Sequence, residues 1–170
     1  MNTATLAAPV LRIEDTDPQH PDALRLLAEA AFEARALYPE LFGADTPSPR
    51  NPPLGERGAY LLAWRDGRAL GCGALRRHSA FGGELRRMFV SRDVRREGVA
   101  RALLAQLEAQ AVRFGYRELV LETGRRQAAA IALYSGAGWR RIPAYGSYVG
   151  DPMSVCFGKS LGSRVSRSGA

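Results

Sequence analysis

The stretch Phe89-Val90-Ser91-Arg92-Asp93-Val94-Arg95-Arg96-Glu97-Gly98-Val99-Ala100 decides the fold, because in it a strand runs through a short basic turn directly into a long helix. The first N–H groups of such a helix have no intrahelical acceptor, and the helix dipole is positive there. Main-chain donors at this point can therefore bind a phosphate or pyrophosphate group, and Gly98 allows a ligand to approach closely because it has no Cβ. An ordinary helix start with a solvated, charged turn is the alternative interpretation.

The hydrophobic pattern on both sides of this stretch predicts a mixed α/β chain. We expect antiparallel strands early in the chain and a strand-helix-strand crossover in its middle. A proline-rich segment at residues 41–58 is predicted to be a surface loop or a mobile flap. The predicted strands are residues 10–13, 59–65, 69–77, 84–90, 117–122, 139–142 and 154–159, and the predicted helices are residues 20–37, 95–114 and 127–135.

Composition restricts the class of protein. With 170 residues, 46% of them hydrophobic and 24% charged, the chain is expected to form one globular domain. It contains no apolar run long enough for a membrane helix and no basic segment followed by an apolar run at its start, so a cytoplasmic location is expected. Two well separated cysteines, Cys72 and Cys156, are expected to be reduced and buried.

The formal net charge of +7 predicts an anionic partner. Nucleic acid, a membrane surface and a phosphorylated small molecule all fit this charge. Nearly all of the positive charge is arginine, which suits two-point contacts with phosphate or carboxylate groups, although genome base composition would produce the same bias.

Two motifs resemble those of the GNAT superfamily, the acetyl-CoA-dependent N-acyltransferases. Arg95-x-x-Gly98-x-Ala100, after a strand ending Met88-Phe89-Val90, resembles the loop that binds the pyrophosphate of acetyl-CoA. The segment Ala130-Ile131-Ala132-Leu133-Tyr134-Ser135-Gly136-Ala137-Gly138-Trp139 is similar to the superfamily's helix-plus-turn motif. The resemblance covers roughly residues 60–161 and is closest to small bacterial members. It implies an α/β (α+β) fold with a mixed, mostly antiparallel twisted sheet of about six to seven strands and about four helices.

The resemblance also implies roles for individual residues. Glu84 lies where several members carry a catalytic glutamate and is the candidate base, acting directly or through water, although it could simply pair with nearby arginines across the sheet. Tyr134 is the candidate acid for the departing thiolate, and main-chain N–H groups of a strand bulged around residues 88–90 would stabilise the oxyanion. The residues implied to bind the cosubstrate, acetyl-CoA, are Met88, Phe89, Val90, Arg95, Arg96, Glu97, Gly98, Val99, Ala100, Gln127 and Tyr134. Gln127 departs from the asparagine of many members, and no metal is expected.

The expected acceptor is a primary amine of a small molecule. Arginines 76, 77, 86 and 87 are predicted to cluster near the acceptor, which favours an amine that also carries a carboxylate, such as an amino acid. Glu122, Tyr145 and Tyr148 are further candidate acceptor contacts. A GNAT-like protein that binds acetyl-CoA without catalysis, and a basic nucleic-acid-binding domain, are the alternative functions.

The expected organisation is a loose N-terminus at residues 1–8, an acetyltransferase domain at 9–161 and a loose basic tail at 162–170. Because many members of the superfamily dimerise, a homodimer is the family-level expectation. Neither a membrane nor a nucleic acid is expected as a partner.

Overall fold

A computed structural model describes residues 10–162 of the chain. The loose N-terminus expected at residues 1–8, and nearly all of the tail expected at 162–170, lie outside the described residues. The strands are β1 (Arg12–Asp15), β2 (Ala59–Arg65), β3 (Arg68–Arg77), β4 (Gly82–Val90), β5 (Glu118–Gly124), β6 (Arg140–Ile142) and β7 (Ser154–Ser160), and the helices are α1 (Pro21–Leu37), α2 (Val99–Arg113) and α3 (Ala128–Gly136).

The strands form a single seven-stranded sheet in the order β1-β2-β3-β4-β5-β7-β6. β4 and β5 pair in parallel, and every other neighbouring pair is antiparallel. The parallel pair is joined by α2, because parallel neighbours need a crossover connection. This confirms the predicted mixed, mostly antiparallel sheet of six to seven strands.

The part of the chain that the structure describes has three α-helices, one fewer than the expected four. Between α1 and β2 it forms only a short 3-10 helix at Pro39–Leu41. The prolines that follow lack N–H donors and therefore prevent a further regular element in this segment.

Several predicted boundaries were wrong, and the start of α2 differs most from its prediction. β1 begins at Arg12 instead of residue 10, because its register with β2 places Arg12 opposite Trp64. α2 begins at Val99 instead of residue 95, because Arg96 and Gly98 have positive φ angles of 65° and 83°. Residues in this left-handed conformation cannot form the first turn of a right-handed helix.

Helices cover both faces of the sheet, and each face has its own hydrophobic core. On one face α1 packs over a cluster formed by Ala23, Leu26, Tyr60, Leu62, Ala69, Cys72 and Ala74. On the other face α2 and α3 pack over a larger cluster that includes Leu61, Leu75, Leu85, Leu103, Leu107, Leu119, Tyr134 and Phe157. The two faces are called the α1 face and the α2 face below.

Both cysteines are buried and free, as predicted. Burial raises the pKa of the Cys72 thiol to about 11, so that this thiol is protonated and unreactive at neutral pH. Among residues 10–162, no helix is both long and apolar enough to cross a bilayer.

Candidate active site

A β-bulge interrupts β4 near its centre. Gly73 of β3 faces two residues of β4, Arg87 and Met88, where the register between the strands shifts. Arg87 has a left-handed φ of 59°, which is uncommon for a residue other than glycine. A Cβ atom on Gly73 would lie 2.7 Å from both the Met88 sulfur and a methyl group of Leu107. A glycine at position 73 therefore allows α2 to approach the sheet closely at the bulge.

β4 and β5 separate just before β4 reaches the bulge. Their pairing runs only from Gly82 opposite Glu118 to Leu85 opposite Leu121. Beyond this point β4 continues to Val90 and β5 to Gly124 without pairing with each other. The main-chain groups of β4 that face this opening therefore have no partner on β5.

The loop before α2 offers unpaired main-chain donors. The first hydrogen bond of α2 runs from the N–H of Ala102 to the carbonyl of Gly98 at 3.0 Å. The N–H groups of Val99, Ala100 and Arg101 come before it and have no intrahelical acceptor. The space beside Gly98 is open, because a Cβ there would meet nothing within 4 Å. This geometry is compatible with a phosphate or pyrophosphate group, and the binding site at this loop stays a prediction.

Two glutamates of α1 hold this loop in place. Ser91, which is buried, donates a hydrogen bond through its hydroxyl to Glu29 at 2.8 Å. The guanidinium group of Arg95 donates to the carbonyl of Val90 at 2.9 Å and pairs with Glu33 at 2.7 Å. Arg95 therefore fastens the loop to α1, so that its side chain is already engaged.

The other residues implied to bind the cosubstrate lie in different surroundings. Arg96 is exposed and forms no ion pair with the described residues, whereas Glu97 pairs with Arg65 at 2.8 Å. Phe89 packs under the guanidinium group of Arg95 on the α1 face. Gln127 caps the start of α3 and donates its main-chain N–H to Gly124 at 2.9 Å.

Glu84 is buried on the α1 face, where its side chain is only 2% exposed. Its Oε2 atom accepts a hydrogen bond from Arg76 Nε at 2.7 Å and lies 2.6 Å from Arg76 Nη2 in the same ion pair. Its Oε1 atom accepts from the hydroxyl of Tyr145 at 3.0 Å and contacts Arg86 Nη1 at 3.5 Å. The cross-sheet pair considered from the sequence is therefore present, and a role as base stays a prediction.

Tyr134 lies on the opposite face of the sheet from Glu84. Its ring packs against Trp139 at 5.9 Å and Phe157 at 5.8 Å between ring centroids, and the residue is 4% exposed. Burial raises the pKa of its phenol, which therefore stays protonated at neutral pH. Glu84 and Tyr134 thus belong to the two faces that the opening between β4 and β5 connects.

The candidate acceptor contacts surround Glu84. Arg86 Nη1 donates to the hydroxyl of Tyr148 at 2.8 Å, and the rings of Tyr145 and Tyr148 pack edge to face at 5.4 Å. Glu122 accepts a hydrogen bond from the Ser154 hydroxyl at 2.8 Å.

Arg77 does not belong to the predicted arginine cluster. Its charge acts on Tyr116, which is buried in the cluster on the α2 face. Successive residues of a strand point to opposite faces, so that Arg76 meets Glu84 whereas Arg77 does not. The other three expected arginines, Arg76, Arg86 and Arg87, lie close together on the α1 face.

Sequence reasoning missed Asn51 and the two glutamates of α1, Glu29 and Glu33. Asn51 is 5% exposed, accepts a hydrogen bond from Arg87 Nε at 3.2 Å and donates to the carbonyl of Pro18 at 2.9 Å. A single asparagine in a proline-rich loop carries no periodic signal. The contacts of the glutamates depend on how α1 packs, which its own sequence does not specify.

The Glu122→Gln variant is expected to be more stable than the wild type at pH 7. Burial, the main cause, raises the pKa of the Glu122 carboxyl above its ordinary value. The folded state therefore binds this proton more tightly than the unfolded state does. As a result, the free energy of unfolding decreases as the pH rises from the pKa of Glu122 in the unfolded state to its pKa in the folded state. Glutamine removes this penalty while its oxygen still accepts from Ser154, so we expect Tm at pH 7 to rise by about 2 °C.

Thermal unfolding at pH 4 and pH 7 checks this expectation, with Glu118→Gln as the exposed control on the same strand. The gain for Glu122→Gln should be larger at pH 7 than at pH 4. Equal gains at both pH values, or a gain of the same size for Glu118→Gln, would contradict it.

Comparison with known proteins identifies the family. Residues 22–139 match the model of the Acetyltransferase (GNAT) family. The chain is 40% identical over 103 residues to the IAA acetyltransferase of Azospirillum brasilense, across 60% of this chain and 67% of that protein. A crystal structure from Klebsiella pneumoniae, named as an acyl-CoA N-acyltransferase, aligns with a TM-score of 0.73 at 31% identity, covering 89% of this chain and 98% of that one.

A GNAT family acetyltransferase from Elizabethkingia anophelis, solved with acetyl-CoA bound, shares the fold at a TM-score of 0.63 and 17% identity, over 89% of this chain and 98% of that one. Within residues 10–162, no group of His, Cys, Asp or Glu side chains is arranged to hold a metal ion. The family match, the named relatives and the observed sheet agree. The chain belongs to the GNAT family of acetyltransferases and is an acyltransferase.

Proposed function

We propose that the protein transfers the acetyl group of acetyl-CoA directly to the primary amine of a small molecule, with carboxylate-bearing amines such as amino acids as the favoured class. The observation that carries this proposal is the opening between β4 and β5. The opening joins the face that carries Tyr134 to the face that carries Glu84. A donor and an acceptor can therefore meet there from opposite sides of the sheet. The acetyl-CoA bound to the related protein from Elizabethkingia anophelis supports the choice of donor.

The loop before α2 is the proposed site for the pyrophosphate of acetyl-CoA. It offers the N–H groups of Val99, Ala100 and Arg101, which have no intrahelical acceptor, beside the open space at Gly98. The side chain of Arg96 is exposed and is the proposed cationic contact, because that of Arg95 already binds Glu33. In this proposal, main-chain N–H groups therefore donate most of the hydrogen bonds to the pyrophosphate.

The amine must lose a proton before it can attack. For an alkylammonium group with a pKa of about 10.4, deprotonation at pH 7 costs roughly 4 kcal/mol. Glu84 is the proposed final acceptor of that proton. Because both of its oxygens already accept hydrogen bonds, the proposed route passes through the hydroxyl of Tyr145, which donates to Glu84 at 3.0 Å.

The two remaining steps are stabilisation of the oxyanion at the opening between β4 and β5 and protonation of the leaving thiolate on the α2 face. Main-chain N–H groups of β4 at residues 88–90 would stabilise the negative charge that develops on the carbonyl oxygen. The new N–C bond forms first, and as the C–S bond then breaks, Tyr134 donates its phenolic proton to the departing sulfur. The second proton that the nitrogen loses on becoming an amide restores the Tyr134 phenol. Its phenol is protonated at neutral pH, as this role requires.

Acceptor-dependent release of CoA from acetyl-CoA tests the proposal. The free thiol is followed with a colorimetric reagent, against separate pools of amino acids, polyamines, aminoglycosides, arylamines and basic peptides. Release with the amino acid pool is the expected result. If calorimetry shows that acetyl-CoA binds but no pool causes CoA release, the result would contradict amine acetylation. It would favour a protein that binds acetyl-CoA without catalysis. The absence of binding would contradict the choice of donor.

The Gly98→Ala variant is expected to weaken acetyl-CoA binding. Gly98 has a φ of 83°, where alanine costs about 1–2 kcal/mol, and the added methyl group enters the space proposed for the phosphates. We expect KM for acetyl-CoA to rise by about tenfold while kcat changes little. Steady-state kinetics with acetyl-CoA as the varied substrate measures this effect.

Gly67→Ala is the matched control, because Gly67 has a similar φ of 76° and equally open surroundings but lies in the turn between β2 and β3. It should lower Tm and leave KM unchanged. A similar KM increase in both variants would show that backbone strain alone explains the effect.

A further inference from the structure

A small cavity lies between the proline-rich loop and the bulged part of β4. Its volume is about 70 Å³, enough for a few water molecules or for a carboxylate group with its attached carbon. The residues that line it are Asn51, Pro52, Pro53, Leu54, Gly55, Tyr60, Ala74, Leu75, Arg76, Arg86 and Arg87. The cavity adjoins Glu84, since Arg76 and Arg86 both contact that carboxylate.

The charges around the cavity are not balanced. Three guanidinium groups line it, and Glu84 pairs with two of them, those of Arg76 and Arg86. Arg87 instead donates to neutral oxygens, to Asn51 Oδ1 at 3.2 Å and to the carbonyl of Arg50 at 2.7 Å. Burial, followed by the charge of Arg86, lowers the pKa of Arg87.

Tyr60 adds a second, independent observation. This residue is 1% exposed, and its buried hydroxyl makes no hydrogen bond of regular geometry within the described part of the chain, although Cys72 and Asn51 lie beside it. Buried hydroxyl groups in folded proteins are usually paired, so an unpaired one in a cavity wall indicates a missing partner. An acceptor oxygen in the cavity would give the Tyr60 hydroxyl a regular hydrogen bond and would give Arg87 an anionic partner.

The bulge explains why two neighbouring arginines reach the same cavity. Consecutive residues of a regular strand point to opposite faces, yet Arg86 and Arg87 both line this space. The left-handed φ of 59° at Arg87 turns it to the α1 face at a cost in backbone strain. Strain of this kind clusters at binding and catalytic sites.

We propose that this cavity binds the carboxylate of the acetyl acceptor, with Arg87 and Tyr60 donating hydrogen bonds to its oxygens. The inference rests on the proposed function, because it places the acceptor's anionic end beside the site where its amine reacts. The planar fork of a guanidinium group matches a carboxylate in geometry and charge. Molecules that carry both an amine and a free carboxylate are therefore the substrate class.

Binding of a carboxylate fragment tests the cavity without any turnover. Sodium acetate is titrated against the protein while the Nε–Hε signals of its arginines are followed by NMR, with acetamide as the neutral probe of the same shape. We expect a saturable shift of the Arg87 signal with acetate and none with acetamide. Tyr60→Phe should weaken the binding of acetate, and Arg87→Asn, whose side chain tolerates a left-handed φ, should abolish it.

Arg77→Asn is the matched control, because it removes the same charge from the exposed α2 side of a neighbouring strand. It should leave acetate binding unchanged, and the thermal unfolding of each variant confirms that it is folded. A shift that does not saturate, or one that acetamide reproduces, would overturn the proposal. So would acetate binding that survives in Arg87→Asn.

Turnover of matched acceptors separates this inference from the proposed function. Each amino acid that supports CoA release is compared with its carboxamide, and we expect kcat/KM to favour the free acid by about 30-fold or more. Arg87→Asn should remove this preference by raising KM for the acid alone. Saturable acetate binding without CoA release for any acceptor would support the cavity and contradict the proposed function. CoA release with equal kcat/KM for acid and carboxamide would support the function and overturn the cavity.

Discussion

Tyr134→Phe is expected to lower kcat by about tenfold to a thousandfold while the affinity for acetyl-CoA stays nearly unchanged. The substitution removes only the hydroxyl, so the ring keeps its packing against Trp139 and Phe157. Without that hydroxyl the departing thiolate receives no proton from the protein. The kcat of CoA release and calorimetry with acetyl-CoA measure the two quantities.

Tyr116→Phe is the control for Tyr134→Phe, because it removes a phenol from the same face of the sheet. The hydroxyl of Tyr116 donates to the carbonyl of Arg57 at 2.9 Å, so its loss should reduce stability and leave kcat unchanged. A kcat for Tyr134→Phe within about twofold of the wild type would show that the phenol is not the acid.

Glu84→Gln is expected to lower kcat by about a hundredfold to a thousandfold and also to destabilise the fold. Glutamine cannot hold the proton of the amine, and it leaves Arg76 and Arg86 without their counter-charge. Because both guanidinium groups are partly solvated, we expect a stability loss of about 1–3 kcal/mol, less than for a fully buried pair. Steady-state kinetics across pH and chemical denaturation measure the two effects.

Two comparisons separate proton transfer from structural support at Glu84. Raising the pH toward the pKa of the amine should narrow the kcat/KM deficit of Glu84→Gln, because more of the acceptor is already deprotonated. Arg76→Gln breaks the same ion pair but retains the carboxylate, so it should lose similar stability and much less turnover. Equal losses of turnover in both variants at every pH would assign Glu84 a structural role alone.

The predicted elements were most accurate where the local pattern was strong. β2 spans the predicted residues 59–65 because its apolar residues form one continuous buried run. The start of α2 was missed, since its position depends on the left-handed conformations of Arg96 and Gly98. The charged residues 95–97 do not indicate those conformations, because their sequence is equally compatible with the first turn of the helix.

The candidate site was predictable as a set of residues and not as an arrangement. The motif around Gly98 and the positions of Glu84 and Tyr134 indicated the family before any coordinates. Strand alternation then placed Arg77 on the far face, whereas the bulge turned Arg87 toward Asn51. A bulge depends on how two strands pair, and a single strand's sequence does not reveal it.

By itself, the sequence determined the order of elements, the motif for anion binding and the residue types that acyl transfer requires, because periodicity and helix-start chemistry are local properties of the chain. Only the tertiary structure decided where β4 and β5 separate, that Arg95 fastens the loop to α1, and that a cavity forms beneath the proline-rich segment. Those features arise from contacts between residues that are distant along the chain. Such contacts depend on the packing of whole elements and leave no periodic signal in the sequence.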